Sequence, residues 1–216
     1  SIQAEVFALN NFFVSALLYL CVLYHQTRDP HAAYMGAFTI GLGLSNQHTL
    51  LFYAAPLVIF VASVGYKDLL RSERAAYLCV AGVCGLLPYL YLPVYGREAA
   101  FGAWGQPDTF EGFMTHFLRK EYGTFRLYSG NEGEFGGQLF EALFLWLKNI
   151  LSSSLYSAPV FVLAAFAGFF QGVAKNKLDP VFIGFFFAFA FYMILFHCLS
   201  NLPLDKPLYF GVHMRF

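Results

Sequence analysis

Six stretches of the chain are apolar for long enough to cross a lipid bilayer, at about 6–24, 32–48, 49–66, 75–95, 157–173 and 180–199. A bilayer core of about 30 Å takes roughly 20 mostly apolar residues in a helix. In hydrocarbon the backbone must satisfy its own hydrogen bonds, so these runs read as helices and not as strands. The second run, AAYMGAFTIGLGL, is the shortest and the richest in small residues; its Gly36, Gly41 and Gly43 suit close helix packing in lipid. The pattern predicts an all-α fold: a polytopic membrane protein of about six transmembrane helices, with further helices lying along one interface.

The polar segments between the runs are unequal. Residues 67–74 hold Lys67, Arg71 and Arg74, residues 174–179 hold Lys175 and Lys177, and residues 25–31 hold Arg28. All three connect odd-numbered runs to even-numbered ones, and short loops rich in Lys and Arg are cytoplasmic. Glu5, the Asn46-Gln47-His48 break, the whole 96–156 segment and residues 200–216 then share the opposite, lumenal or periplasmic face. The 96–156 segment is too long for a plain connection. DTFEGFMTHFLRKEY reads as an amphipathic helix, with Phe110, Phe113, Met114, Phe117 and Leu118 at helical spacing. Asp108 is its expected cap, with Glu111 three residues on as in a capping box. A second helix, GGQLFEALFLWLKNI, follows a glycine-rich turn at 129–137, and both helices are expected along the interface.

Composition agrees with this pattern. Of 216 residues only 12% are charged and 58% are hydrophobic, with a mean hydropathy of +0.56; a soluble domain is about one quarter charged. Thirteen basic and thirteen acidic residues give no net charge, which removes any electrostatic case for a nucleic-acid partner. Cys21, Cys79, Cys84 and Cys198 lie in apolar runs without ligand spacing and are expected to be buried free thiols. The chain opens at Ser1 inside a polar-to-apolar transition and closes on HMRF, so it is expected to be part of a longer multi-span protein.

Four polar stretches carry candidate chemistry. In AEVFALNN, Glu5 stands at the mouth of the first run, with Asn10 and Asn11 one to two turns in. A carboxylate at a membrane is costly and usually has a task or a partner, yet a helix N-terminus also favours one. In LSNQHTLLFY, the polar residues Asn46, Gln47 and His48 separate two apolar runs. Gln-His is not a typical turn pair; such a group suits a phosphate or a sugar hydroxyl, and a tight turn is the plainer alternative. FGAWGQPDTFEG sets Trp104 and Asp108 beside glycines, a sugar-platform pair that is equally an interfacial-belt tryptophan. HFLRKEYG is the densest: Arg119 suits a bidentate phosphate clamp, and Glu121 or His116 can move protons. Helical spacing puts His116 and Lys120 on one stripe, with Arg119 and Tyr122 elsewhere; the plain alternative is the solvated face of an interfacial helix. NLPLDKPLYFGVHMRF, with two prolines, reads as an extended loop.

Taken in order, AEVFALNN, GLSNQHT, LLPYLYLP, WGQPDTFEGFMTHFLRKEYGTF and DKPLYFGVHMRF resemble the transmembrane protein O-mannosyltransferases that modify plexin-type receptors, and their bacterial relatives. That group is placed in the C-type glycosyltransferase superfamily, and the resemblance runs from Ala4 to Phe216. It implies that residues 1–216 are part of one transmembrane glycosyltransferase domain. The implied enzyme is multi-pass in the endoplasmic reticulum membrane, or in the plasma membrane of a bacterium. It would take mannose from dolichyl-phosphate mannose to Ser or Thr of a protein acceptor. The partners implied are the bilayer, a polyprenyl-phosphate sugar and that acceptor.

The superfamily's essential acid belongs to a first lumenal loop, in a stretch upstream of AEVF, so the chain alone is expected to be inactive. Glu5 matches the group's AEV acid, where superfamily members often hold a second acid or a metal ligand, so a divalent metal is compatible with the resemblance. Arg119 and Lys120 are the phosphate candidates with His48 in support, Trp104 a sugar platform, and Asn46, Gln47, Asp108, His116, Glu121 and Tyr122 further substrate-binding candidates. Two other readings stay open: a transferase of another lipid-linked sugar, and a non-enzymatic transporter or scaffold piece. A transporter would show polar positions in both membrane halves and an internal repeat, and neither is visible.

Overall fold

The computed structural model describes residues 6–95, 108–118, 120, 138–152, 157–175, 179–199 and 204–205. All regular structure among them is helical, as the hydrophobic pattern requires. Two compact units divide the chain, residues 1–129 and 130–216.

In the first unit α1 (Val6–Thr27) and α2 (Pro30–Asn46) form a hairpin with only Arg28 and Asp29 between them. Arg28 adopts φ 57° and its N–H bonds the Tyr24 carbonyl at 2.8 Å, an αL stop for α1. Asp29 then caps α2, its carboxylate accepting from the His31 N–H at 3.0 Å, and Pro30 takes the first helical position. α2 ends where the Gln47 backbone turns extended (φ −153°, ψ 124°), and a 3₁₀ turn, His48–Leu50, leads into α3 (Leu51–Leu69). α3 bends at Gly65 (φ −137°, ψ 20°), where the Tyr24 hydroxyl fills the space of a side chain. α4 (Ser72–Gly85), a 3₁₀ turn (Leu87–Leu90) and α5 (Tyr91–Tyr95) make one apolar path bent by 43° at a proline-bearing break.

Glycine sets how closely α2 and α4 approach. A Cβ on Gly41 would overlap the Gly82 carbonyl oxygen and lie 3.0 Å from the Gly85 Cα; one on Gly85 would overlap the Phe38 carbonyl oxygen. Ser45 Oγ bridges the helices, donating to Gly41 O at 3.1 Å or to Gly85 O at 3.3 Å. Gly43 serves the other neighbour, since a Cβ there would collide with Leu50 and meet Phe13 of α1. The expectation of close packing holds for Gly41 and Gly43. It fails for Gly36, which has nothing within 4 Å of its Cβ position.

Among the described residues three helical stretches, Ala8–Thr27, His48–Leu69 and Pro180–Leu199, are long and apolar enough to cross a membrane, or four if the bent path from Ser72 to Val94 counts as one. α2 is a helix where a span was expected, but its 17 residues rise about 25 Å at 1.5 Å each. Buried Cys21 fits the cysteine expectation; Cys79 and Cys84 are exposed on the apolar surface of α4 and Cys198 is half-buried.

α6 (Phe110–Phe117) corrects the expected interfacial helix in two ways. Its cap is Thr109, whose hydroxyl accepts from the Gly112 N–H at 3.0 Å, not Asp108. With Thr109 at the cap the third position is Gly112, which has no side chain to complete a capping box. The helix also stops at Phe117, where Lys120 N–H closes onto Thr115 O at 2.9 Å. His116 and Lys120 therefore share no helical stripe.

The second unit holds α7 (Leu139–Ser152), α8 (Ser157–Ala174) and α9 (Pro180–Leu199). α7 packs on α8 and α9 through buried Ala142 and the Trp146–Phe189 ring pair. Phe169 of α8 stacks on Phe186 of α9 at 4.2 Å. Phe140, Phe144 and Leu147 form an exposed apolar stripe on α7, the amphipathic form expected of an interfacial helix.

Candidate functional site

The break between α2 and α3 collects the densest polar structure of the first unit. Gln47 closes α2, its N–H bonding Gly43 O at 2.8 Å, and the extended Gln47 backbone turns His48 out of the helix axis. His48 Nε2 lies 3.2 Å from the Phe117 carbonyl oxygen and 3.3 Å from the Tyr89 hydroxyl. Tyr89 in turn donates to Leu44 O at 3.1 Å. One proton arrangement satisfies all three contacts: hydrogen on His48 Nε2, shared between Phe117 O and Tyr89 Oη, with the Tyr89 hydrogen on Leu44 O. The Tyr89 ring meets Phe117 edge-on at 4.9 Å, and Phe113 stacks on Phe117 at 5.9 Å.

His48 thus ties the last turn of α6 to the end of α2. Phe117 O is one of the terminal carbonyls that a helix leaves without an internal partner. Covering it with a donor reduces the negative end of the α6 dipole at the point where the chain continues towards Arg119 and Lys120.

A second group of polar atoms lies on the α1 side of the same break. Phe13 of α1 packs on Gly43 and Leu50, and Asn10 is one turn nearer the helix start. Asn10 is 4% exposed and Thr49 2%. Asn10 Oδ1, Gln47 Oε1 and Thr49 Oγ1 are buried, with no hydrogen-bond partner among the described residues. A buried acceptor left in this state costs about 1–3 kcal/mol, so three at one end of a helix hairpin mark a place suited to donor groups.

The expected site residues fall into three groups. Asn46, Gln47 and His48 are half-buried at the break, and half-buried His116 and exposed Lys120 belong to the α6 end that His48 holds. Asp108 is exposed at the other end of α6, about 12 Å of helix rise away from Phe117. Glu5, Trp104, Arg119, Glu121 and Tyr122 lie outside the described residues. No three His, Cys, Asp or Glu side chains among the described residues converge as a metal site.

Sequence reasoning missed Tyr89 and Phe117 as parts of the site, and passed over Thr49. Tyr89 carried a signal: a hydroxyl inside an apolar run, directly after Pro88. Phe117 contributes through its backbone oxygen, which no side-chain pattern reports.

Comparison with known proteins bears out the family resemblance. Residues 1–70 match the family model described as the Protein O-mannosyl-transferase TMEM260 N-terminal domain. The chain is 33% identical over 232 residues to the Protein O-mannosyl-transferase tmem260 of Dictyostelium discoideum, covering 100% of this chain and 28% of that protein. It is 34% identical over 223 residues to the Protein O-mannosyl-transferase TMEM260 of Mus musculus, covering 100% of this chain and 31% of that protein. The chain therefore spans less than a third of the length of these curated relatives. No solved structure matches it at comparable significance.

Proposed function

From this similarity along the whole of the given chain to part of protein O-mannosyl-transferases, we propose that the complete protein transfers mannose from a polyprenyl phosphate, dolichyl-phosphate mannose, to Ser or Thr of proteins on the lumenal side of the endoplasmic reticulum membrane. The similarity, which covers every residue of the chain in two relatives so named, is the observation that carries the reading. The architecture is compatible with it: a helical membrane protein in which uncharged polar groups, Asn46, Gln47 and His48, break the chain between two apolar helices at one end of the hairpin.

In the reaction the acceptor hydroxyl oxygen bonds to the anomeric carbon as the bond from that carbon to the phosphate oxygen breaks. The hydroxyl proton passes to a base and polyprenyl phosphate leaves. The base is the acid that the family resemblance puts in the first lumenal loop, with Glu5 a candidate second carboxylate. Charge gathering on the leaving phosphate is best met by fixed donors in a site of low dielectric. Arg119 and Lys120 follow directly on the α6 end that His48 holds, and they take that role. His48 acts as a positioning residue through Phe117 O. Asn46 and Gln47 serve as substrate contacts, with Trp104 as the platform and Asp108, His116, Glu121 and Tyr122 as acceptor-side contacts.

The test incubates the complete protein with labelled dolichyl-phosphate mannose and a folded acceptor domain. Label is expected on the acceptor, and Arg119→Ala is expected to cut transfer by about 10²-fold or more, as for loss of one fixed donor to a developing anion, at an unchanged protein level. Near-normal transfer by Arg119→Ala removes Arg119 from the site. Label passing only from another polyprenyl sugar overturns the donor.

A further inference from the structure

At the end of the helix hairpin away from His48, an apolar groove of about 250 Å³ opens between α1, α2 and α3. Gly36, Ala33 and Ala37 form its floor, and Leu17 and Val61 stand among its walls. Gly36 is the glycine with nothing near its Cβ position, so the groove exists because α2 carries no side chain there. These helices include two of the stretches apolar enough to span a membrane, so what meets an open apolar groove on them is lipid chain and not water.

The groove does not end in apolar surface. Tyr24 and Tyr66 line both it and an adjoining recess of about 310 Å³ bounded by Arg28, Lys67 and Asp68. The charges there are unequally engaged. Asp68 is ion-paired with Arg74, and Asp29 is held by the N–H and ring of His31. Arg28 donates one Nη1 hydrogen bond, to the Val64 carbonyl at 2.7 Å, and Lys67 Nζ stands 5.9 Å over the Tyr66 ring. Neither cation has a carboxylate partner among the described residues. A guanidinium has five N–H donors, and one carbonyl uses few of them. Arg28 also occupies a left-handed backbone position that glycine would fill with less strain.

We propose that the groove and the adjoining recess together form a binding site for one anionic membrane phospholipid. An acyl chain lies in the Gly36 groove, and the headgroup phosphate sits between Arg28 and Lys67. The dimensions run in the right order: apolar towards the middle of the hairpin, aromatic at the transition, cationic at the helix ends. Aromatic rings and basic side chains take that order at a membrane interface. Nothing in the proposed transfer reaction uses this end of the unit, so the site is independent of that reading.

The complete protein, purified in detergent and stripped of lipid, is titrated with phosphatidylglycerol or with phosphatidylcholine of the same chains. Bound lipid is counted by native mass spectrometry. Wild type is expected to retain one phosphatidylglycerol in preference to phosphatidylcholine. Arg28→Gln with Lys67→Gln is expected to lose that preference by about thirtyfold, the size of two basic side chains acting on a membrane anion; Lys67→Gln alone gives an intermediate loss should the pair fail to fold. Gly36→Leu fills the groove and is expected to abolish retention of both lipids while leaving the thermal midpoint of lipid-free protein unchanged. Equal retention of both lipids by wild type overturns the proposal. So does retention by Gly36→Leu, competition by inorganic phosphate alone, or polyprenyl phosphate displacing phosphatidylglycerol. Inability of the lipid-free protein to bind either lipid means that another segment covers the groove, and refutes it as well.

Discussion

Gly36 and Gly41 lie in the same helix, five residues apart, and the same substitution is expected to act in opposite directions at the two. Replacing glycine by alanine in a helix favours the helix by up to about 1 kcal/mol. At Gly36 nothing lies within 4 Å of the added methyl, so that gain stands alone. At Gly41 the methyl overlaps the Gly82 carbonyl oxygen and lies 3.0 and 3.1 Å from Gly85 Cα and C. All three are backbone atoms and none can rotate away, so the whole of α4 must retreat. Overpacking of this kind costs about 1–3 kcal/mol, and rigid neighbours put Gly41 at the upper end. Set against the helix gain, Gly41→Ala is expected to destabilise by about 2 kcal/mol net. Gly82→Ala is the control on the facing helix, since its nearest neighbour, Ala37 O, would be 3.8 Å away. Thermal midpoints of the complete protein in detergent should order Gly36→Ala at or above wild type, Gly82→Ala beside it, and Gly41→Ala clearly below. Mannose transfer should fall with Gly41→Ala, because a retreating α4 draws Ser45 from Gly85 and Tyr89 from Leu44 and His48. Equal midpoints for the Gly36 and Gly41 variants would refute the close α2–α4 contact.

Three further predictions concern the polar ends of the hairpin. Tyr89→Phe should lose about 1–3 kcal/mol, the hydroxyl's bonds to Leu44 O and His48 Nε2, while keeping the edge-on ring contact with Phe117; His48→Ala should instead raise amide hydrogen exchange across 110–117, and unchanged exchange there would show that His48 does not hold α6. At the other end, the His31 N–H and then the His31 ring bonding Asp29 hold its carboxyl below its ordinary 3.8. A carboxylate whose folded value is depressed stabilises above the unfolded value, and the effect disappears as pH falls through the folded value. Asp29→Ala should therefore lower the midpoint at neutral pH, and the gap to wild type should narrow as pH falls below the ordinary carboxylate range; a gap that does not narrow in acid would contradict the cap.

The sequence by itself determined the helical class, the place of the apolar helices and the concentration of polar groups around Asn46–His48 and in 110–120. These are properties of local composition, because a backbone in hydrocarbon has no alternative to closing its own hydrogen bonds. It could not decide which glycines touch a neighbour: Gly36, Gly41 and Gly43 look alike along the chain, and only the placement of α4 and α1 separates a contact from a groove. It also placed the cap of α6 one residue early, because Asp and Thr are both good caps and the choice depends on which side chain reaches the free N–H. The tie between His48 and Phe117 was invisible for a deeper reason. It joins residues 69 apart through a backbone oxygen that every residue carries, so tertiary packing alone selects it. The chemistry-bearing residues were legible as types, and the fold decided which of them support the others.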